Sequence, residues 1–300
     1  MPIPTSRTKE AALIHVDETR CNGCNLCVME CPDECLILVN RKAAPSPTPQ
    51  FGCFACGHCM AICPEDAINI TGRCFRAEDL FDLPLREEAA AYEPVLKLLQ
   101  RRRSTRDFKD IPVDPALIGK IMDAVKTAPV GIPPSDVHTM VLDNKDKVRA
   151  FTEDFVAMLG TMKWLVSPLF MSLMRPFWSR TTYELFHDFL RPLVHSYCDG
   201  MKKGENYVTY DAPCAIYFYG TPYADPADTS IAATYAMIAA ESLGLGTCML
   251  GAIHPFIQSG NAAGKLRSKY GIRFKSRSGL FLIIGYPKFK FRKGIYRNLP

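Results

Sequence analysis

CNGCNLCVMECP (21–32) and CFACGHCMAICP (53–64) are the same sentence written twice. Both read C-x2-C-x2-C-x3-C-P. Cys21, Cys24, Cys27 and Cys31 have their counterparts 32 positions on, at Cys53, Cys56, Cys59 and Cys63. The flanks repeat as well: CPDECLIL (31–38) is answered by CPEDAINI (63–70). Two equal half-motifs in tandem imply a pseudo-symmetric unit built by internal duplication.

The spacing has a chemical reason. A cubane of four irons and four sulfides takes four thiolates from different directions. Three closely spaced cysteines wrap three corners from one loop, and the fourth, ahead of proline, lies too far along to close the same cube; in the bacterial two-cluster ferredoxins, which this stretch resembles, it ligates the other cluster. The pattern therefore assigns one 4Fe–4S cluster to Cys21, Cys24, Cys27 and Cys63, and a second to Cys53, Cys56, Cys59 and Cys31. Zinc knuckles and disulfides are the competing readings. Structural zinc favours ligand pairs split by a longer loop, and disulfides need an oxidising compartment. The stretch from about residue 12 to 74 resembles the bacterial ferredoxins that carry two 4Fe–4S clusters.

Outward from this stretch, 300 residues with 48% hydrophobic content predict two domains with a sizeable core. The formal charge of +5 is offset by such clusters, since each cubane with its thiolates carries about −2. Basic residues are scattered apart from one short run, which argues against nucleic acid. The first fifteen residues lack the apolar core of a signal peptide, and no uninterrupted apolar stretch marks a transmembrane helix. Cys35, Cys74, Cys198, Cys214 and Cys248 show no ligand spacing and read as buried small hydrophobes. A reducing cytoplasm is the expected setting.

Strands are expected over 11–17, 36–39 and 68–70, with RKAAPSPTPQ (41–50) as a proline-rich connector. The domain expectation is a cluster-binding unit at 1–74, a linker at 75–96 that turns helical towards its end, and a second domain at 97–300. In that domain PALIGKIMDAVKTA (115–128) has helical periodicity behind an Asp114 N-cap and Pro115. TMVLD (139–143), CAIYFYG (214–220) and GLFLIIGYP (279–287) read as strands, the last as a central one. SIAATYAMIAAESLGLG (230–246) reads as a buried helix ending at a glycine turn. The class is α+β, a sheet with helices on its faces.

RRRSTR (101–106) packs four arginines and a serine into six positions, a dense donor set for phosphate oxygens; alone it would read as a solvated basic face. With its companions it resembles the opening motif of the nitroreductase family, R-x-S-x-R-x-F, here Arg102, Ser104, Arg106 and Phe108. An A-P-x-G segment follows a helix (Ala128, Pro129, Val130, Gly131). An alanine-rich helix runs into ESLGLGTCMLG (241–251). A final strand ends Gly285, Tyr286, Pro287, with Arg292 and Lys293 beyond. The motifs occur in the family's order across 97–300.

This resemblance implies an α/β sandwich binding FMN at a homodimer interface. By motif, Arg102, Ser104 and Arg106, with Arg103 beside them, hold the ribityl phosphate, joined by Arg292 or Lys293. Pro129, Val130 and Gly131 lie along the isoalloxazine, and the turn Cys248, Met249, Leu250, Gly251 packs on its other face or edge through backbone groups. The family's N-x-Q-P-W is replaced by IPPSDVH (132–138), leaving Ser135 and Asp136 as the polar residues there.

The flavin supplies the redox chemistry, and no catalytic acid or base is assigned; His58 lies inside the second cysteine loop. Cubanes pass electrons singly and flavin takes one or two, so the fusion implies clusters exchanging electrons with FMN, and FMN reducing a nitroaromatic, a quinone or a similar electrophile. No strand–helix G-x-G-x-x-G marks a separate nicotinamide domain, so NAD(P)H is a candidate donor by stacking on the flavin. The alternatives are a relay to a ferredoxin or other redox protein, and a dehydrogenase exporting electrons through the clusters.

Residues 145–210 form a helical insertion whose apolar stretch FVAMLGTMKWLVSPLFMSLMRPFW (155–178) holds both tryptophans. Its first part is expected in dimer packing and Leu169–Phe186 as a lid at the substrate, with an interfacial membrane helix as the minor alternative.

Overall fold

The computed structural model describes residues 11–73, 75–131, 133 and 135–297. Cys74, Ile132 and Pro134 lie outside the described residues. By its internal contacts the chain divides into two compact units. The first is Met1–Ala90 with Val130–Asp136 and Tyr223–Asp225; the second is Ala91–Pro129, Val137–Pro222 and Pro226–Pro300.

In the first unit, β1 (Leu13–Val16) pairs antiparallel with β4 (Ile68–Thr71), and β2 (Leu36–Val39) with β3 (Lys42–Pro45). Helices α1 (Leu26–Glu30) and α2 (His58–Ala61) are single turns inside the cysteine loops. The β3 strand corrects the reading of 41–50 as connector throughout. Pro45 ends the strand, where a missing N–H costs least, and Lys42–Ala44 are free to pair. Leu36, Ile68, Ile70, Ala43 and Ala55 form a small core together with Cys27 and Cys59.

The duplication is written into the backbone. Left-handed φ values recur 32 residues apart at Gly23 and Ala55 (77° and 57°), Asn25 and Gly57 (69° and 78°), Glu34 and Asp66 (51° and 46°), and Arg41 and Arg73 (62° and 51°). Non-glycine residues rarely adopt this region, so its repetition reports one loop geometry used twice. At Gly23 the loop also needs space: a Cβ there would collide with the Arg41 carbonyl.

The second unit is built on a four-stranded antiparallel sheet, β5 (Val137–Leu142), β6 (Cys214–Gly220), β8 (Gly279–Gly285) and β7 (Gly246–Leu250), in the order β5-β6-β8-β7. All seven residues of β6 are buried, as an unbroken apolar run covered on both faces requires. On one face Ile216, Phe218, Leu282 and Ile284 pack against α4 (Pro115–Lys126) and the alanines 232, 233, 236 and 240 of α9 (Asp228–Ser242). On the other, Tyr217, Phe281 and Ile283 meet α5 (Lys145–Thr161), α8 (Arg191–Lys202), α10 (Ile253–Gln258) and α11 (Gly260–Lys269). Asp114 caps α4, its carboxylate accepting from Ala116 N at 2.8 Å, with Pro115 at the first helical position.

Two readings of this unit are corrected. Cys248, Met249 and Leu250 of the expected turn belong to β7, because paired register with β8 (Cys248 opposite Ile283, Thr247 opposite Ile284) satisfies their backbone groups. The start of the apolar insertion is buried within its own chain: Phe151, Phe155 and Leu159 of α5 are fully enclosed in the core beneath the sheet. The rest of the insertion runs through α6 (Pro168–Met174) and α7 (Arg180–Glu184) into α8. It leaves Leu169, Leu173 and Phe177 largely exposed (82%, 69%, 79%), while Trp164 and Trp178 each meet Phe170 edge to face and Trp178 lies tilted against Phe186 at 4.4 Å. Among the described residues no helix is long and apolar enough to cross a membrane.

Candidate functional site

The cysteines of the first unit line two cavities, each taking walls from both halves. Cys21, Cys24 and Cys27 line one together with Cys63. Cys53, Cys56 and Cys59 line the other, of about 330 Å³, together with Cys31. Crossing arises because each C-x3-C-P segment leaves its own loop through a helical turn and delivers its last sulfur to the neighbour.

Backbone N–H groups point at four of these sulfurs. Cys35 N donates to Cys31 Sγ at 3.4 Å and Ala67 N to Cys63 Sγ at 3.3 Å, again 32 residues apart. Ala43 N donates to Cys21 Sγ and Ala55 N to Cys53 Sγ, each at 3.4 Å. The electrostatics follow the same grouping. Burial, and then the nearby Cys63, Cys21 and Cys24, push the Cys27 thiol up. Burial, and then Cys56, Cys53 and Cys31, push Cys59 up to about 12. Each cavity thus gathers the four sulfurs of the crossed motif, with Cys35 also lining the second, and backbone donors are already aimed at them. A cationic iron core removes the repulsion among these sulfurs by deprotonating and binding the thiols, so the donor set fits a 4Fe–4S cluster.

The second unit brings three of the four flavin motifs together. Helix α3 (Tyr92–Arg101) ends where Arg102 turns extended (φ −56°, ψ 127°). The chain then runs along the free edge of β7: Ser104 forms a parallel bridge with Thr247, and Thr105 N donates to Thr247 O at 2.8 Å. Further on, Phe108 bridges Pro287, Lys109 N donates to Tyr286 O at 2.8 Å, and Lys288 N to Asp107 O at 3.0 Å. This stitching depends on close approach at Gly246, where a Cβ would lie 2.5 Å from Thr105 Oγ1 and 2.8 Å from Pro287.

In an extended segment alternate side chains share a face. Arg102, Ser104 and Arg106 therefore present one face and Thr105 is buried on the other. Arg106 is exposed, its guanidinium 5.8 Å from the Tyr210 ring centre. Among the described residues neither Arg102 nor Arg106 has a carboxylate within ion-pair distance. Two unneutralised guanidinium groups flanking a hydroxyl fit a phosphate dianion.

Arg103 is placed apart, its guanidinium against Gly294 and its Nη1 donating to the Arg102 carbonyl at 2.6 Å. There α3 and the C-terminal segment enclose a cavity of about 460 Å³, closed at one side by Gln100 Nε2 donating to Tyr296 OH at 2.7 Å. Arg292 and Lys293, both exposed, directly precede that contact. Cys248 is buried in the core, with Met249 and Leu250 half-buried and Gly251 exposed. Pro129 belongs to the second unit, and Val130 and Gly131 to the first.

The sequence reading missed the Thr105–Thr247 pairing and Tyr210. Period-two alternation in RRRSTR was the available signal for the strand; nothing local announces Tyr210. The buried His254 has its Nδ1 paired with Tyr217 OH at 2.8 Å, and burial holds its pKa below the usual histidine value.

Comparison with known proteins agrees with this architecture. The nitroreductase family matches residues 99–286, and a 4Fe-4S binding domain matches 14–37. An FMN reductase [NAD(P)H] of Bacillus subtilis is 28% identical over 161 residues, 53% of this chain and 54% of that protein; the match spans about half the length of that relative. A nitroreductase of Desulfitobacterium hafniense solved with bound FMN is 22% identical, covering 68% of this chain and 94% of that one at a TM-score of 0.49. One from Bacteroides fragilis, also with bound FMN, is 17% identical with the same coverage and TM-score. The chain belongs to the nitroreductase family. It also carries a match to a 4Fe-4S binding domain.

Proposed function

We propose that this protein is an iron–sulfur flavoprotein oxidoreductase in which two 4Fe–4S clusters exchange electrons with FMN to reduce an electrophilic organic acceptor, a nitroaromatic or a quinone. The observation that carries the iron–sulfur part is the pair of four-thiol cavities, each walled by both halves of the duplication. Cys21, Cys24, Cys27 and Cys63 hold one cluster; Cys31, Cys53, Cys56 and Cys59 hold the other. The backbone donors at residues 35, 43, 55 and 67 stabilise the thiolates.

Arg102, Ser104 and Arg106 bind the FMN phosphate from the strand along β7, with Arg292 or Lys293 joining from the C-terminal segment and Arg103 holding that segment in place. Pro129 and the Met249–Gly251 backbone border the ring. FMN, when bound, supplies a carrier that accepts one or two electrons. The chain acts as a homodimer, as its resemblance to the nitroreductase family implies. NAD(P)H is the proposed donor by analogy with the Bacillus subtilis relative, and a reduced ferredoxin is the alternative.

The test is anaerobic purification with metal, sulfide and flavin analysis, followed by optical reduction with NADH, NADPH and reduced ferredoxin in turn. About eight irons and one FMN per chain are expected. Zinc in place of iron, or no flavin after gentle purification, overturns the reading. Steady turnover of a small nitroaromatic by the isolated protein distinguishes an enzyme from a relay.

A further inference from the structure

One stretch of the second unit turns outward apolar side chains that its own chain leaves uncovered. Helix α6 is apolar on every side: it reads PLFMSLM, with Ser172 its one polar residue. A helix of that kind is ordinarily enclosed. One side is, since Met171 is buried and Phe170 is held between Trp164 and Trp178. The other is not. Leu169, Leu173 and Phe177 follow at intervals of four, the spacing of one helical face, and all three are largely exposed, as is Trp164. The face is well built all the same. Pro168 opens the helix and the Ser167 hydroxyl accepts from Phe170 N at 3.3 Å.

The charges around this face have one sign. From Met162 to Tyr183 the charged residues are Lys163, Arg175 and Arg180, with no carboxylate among them. Lys163 and Arg180 find partners beyond the stretch, at Asp199 (3.2 Å) and Glu184 (2.7 Å). Arg180 is 92% exposed, and a surface pair of that kind contributes little, so it can exchange Glu184 for a phosphate. Arg175 lies over the Tyr183 ring at 4.6 Å, and among the described residues it has no carboxylate within ion-pair distance.

Two occupants compete for such a face. A second copy of the chain would need about 800 Å² from each partner. With about 150–250 Å² for each fully covered aromatic, the four exposed side chains offer roughly 500 Å². A two-fold contact would also set these cations against their own kind. An anionic lipid layer removes both difficulties. Each apolar side chain that enters it contributes separately, and headgroup phosphates neutralise the arginines. Tryptophan favours the same boundary.

We propose that this face docks the protein on an anionic membrane surface. Leu169, Leu173 and Phe177 enter the boundary between headgroups and acyl chains, Trp164 stands at its edge, and Arg175 and Arg180 meet lipid phosphates. Helix α6 is about 10 Å long, against a hydrocarbon layer of about 30 Å, so it lies on the membrane and does not cross it.

The chain supplies its own probe, because its two tryptophans, Trp164 and Trp178, both belong to this stretch. Full-length protein, prepared anaerobically with its cofactors, is sedimented with vesicles of phosphatidylcholine alone or with about one-third phosphatidylglycerol. Binding to the anionic vesicles should be at least about tenfold tighter and should weaken as salt is raised. Acyl chains brominated near the headgroup should quench the tryptophan emission. Leu169→Glu with Leu173→Glu should weaken vesicle binding at least about tenfold, with far-UV circular dichroism unchanged. Wild type that does not sediment with anionic vesicles overturns the proposal, as does a double variant that binds them equally well. Should the double variant not fold, quenching in the wild type decides: bound protein whose tryptophans stay unquenched docks by another surface, and the proposal falls. Wild type that ignores vesicles, with a dimer mass that drops to a monomer in the double variant, would give the face to a second copy and likewise overturn it.

Discussion

Gly246→Ala probes the join between the arginine strand and the sheet while changing no charge. Gly246 does not have a positive φ, so the substitution adds only a methyl group. That methyl would lie 2.5 Å from Thr105 Oγ1 and 2.8 Å from both Thr105 Cβ and Pro287 Cγ, against an ordinary contact of 3.4 Å or more. The strand must retreat by about 0.6–0.9 Å. The 2.8 Å bond from Thr105 N to Thr247 O then stretches past about 3.4 Å, beyond a useful hydrogen bond. Overpacking costs about 1–3 kcal/mol and the lost bond about 0.5–1.5 kcal/mol. For a unit of this size that corresponds to a Tm fall of roughly 3–15 °C. Because the same strand carries Arg102, Ser104 and Arg106, FMN should dissociate more readily while cluster absorbance is unchanged. The assay is thermal unfolding with flavin fluorescence, alongside iron analysis. Gly119→Ala is the control: nothing lies within 4 Å of its Cβ, and alanine in mid-helix should stabilise by about 0.5–1 kcal/mol. Unchanged Tm and flavin retention in Gly246→Ala would show that this strand does not depend on its contact with β7.

Three further outcomes are expected. Arg102→Ala with Arg106→Ala removes two charge-assisted contacts of about 1.5–3 kcal/mol each, weakening FMN binding by roughly 10²–10⁴-fold in a fluorescence titration while leaving iron content unchanged; equal affinity would mark RRRSTR as a plain surface run. Phe155→Ala, in the core, should cost about 3–5 kcal/mol, whereas Phe177→Ala, largely exposed, should alter stability by less than about 0.5 kcal/mol and instead raise KM for bulky apolar acceptors; a large stability loss from Phe177→Ala would place that side chain in an interface. His254 is held below its usual pKa by burial, so the unfolded chain binds its proton first as pH falls. Stability should therefore decline on acidification below about pH 6.5, and His254→Asn should flatten that slope in denaturant titrations at pH 5 and 8.

The parts of this structure that were legible in the sequence are those fixed by local pattern. The cysteine spacing gave the pseudo-symmetry, the seven apolar residues from Cys214 gave a strand buried on both faces, and Asp114–Pro115 marked a helix start. What escaped depended on partners distant in sequence. Lys42–Pro45 looked like connector because prolines crowd it, and only pairing with Leu36–Val39 makes it a strand. Gly246–Leu250 looked like a turn because glycines precede it, and only register with Gly279–Gly285 shows otherwise. Lys145–Thr161 was visible as a helix, but which surface its phenylalanines meet is a tertiary matter. The arginine motif was readable as a phosphate site, whereas the strand geometry that separates Arg103 from its neighbours follows from contact with Thr247.

The shared walls of the two thiol cavities also bear on how the first unit comes into being. A nascent chain that has reached the proline-rich stretch after Lys42 possesses three sulfurs of one cavity and one of the other. Neither cavity has its four motif thiols until the second repeat is made, at Cys59 for one and Cys63 for the other, so the first half has no closed cavity of its own to fold around. Domains usually form as units during translation; here the unit is both halves, and its last essential atom arrives two residues before Glu65. An iron donor meeting the chain earlier would find only an open three-sulfur loop. Maturation of the two centres is thereby coupled in time, and stalling before Cys59 leaves both unfinished rather than one finished and one absent.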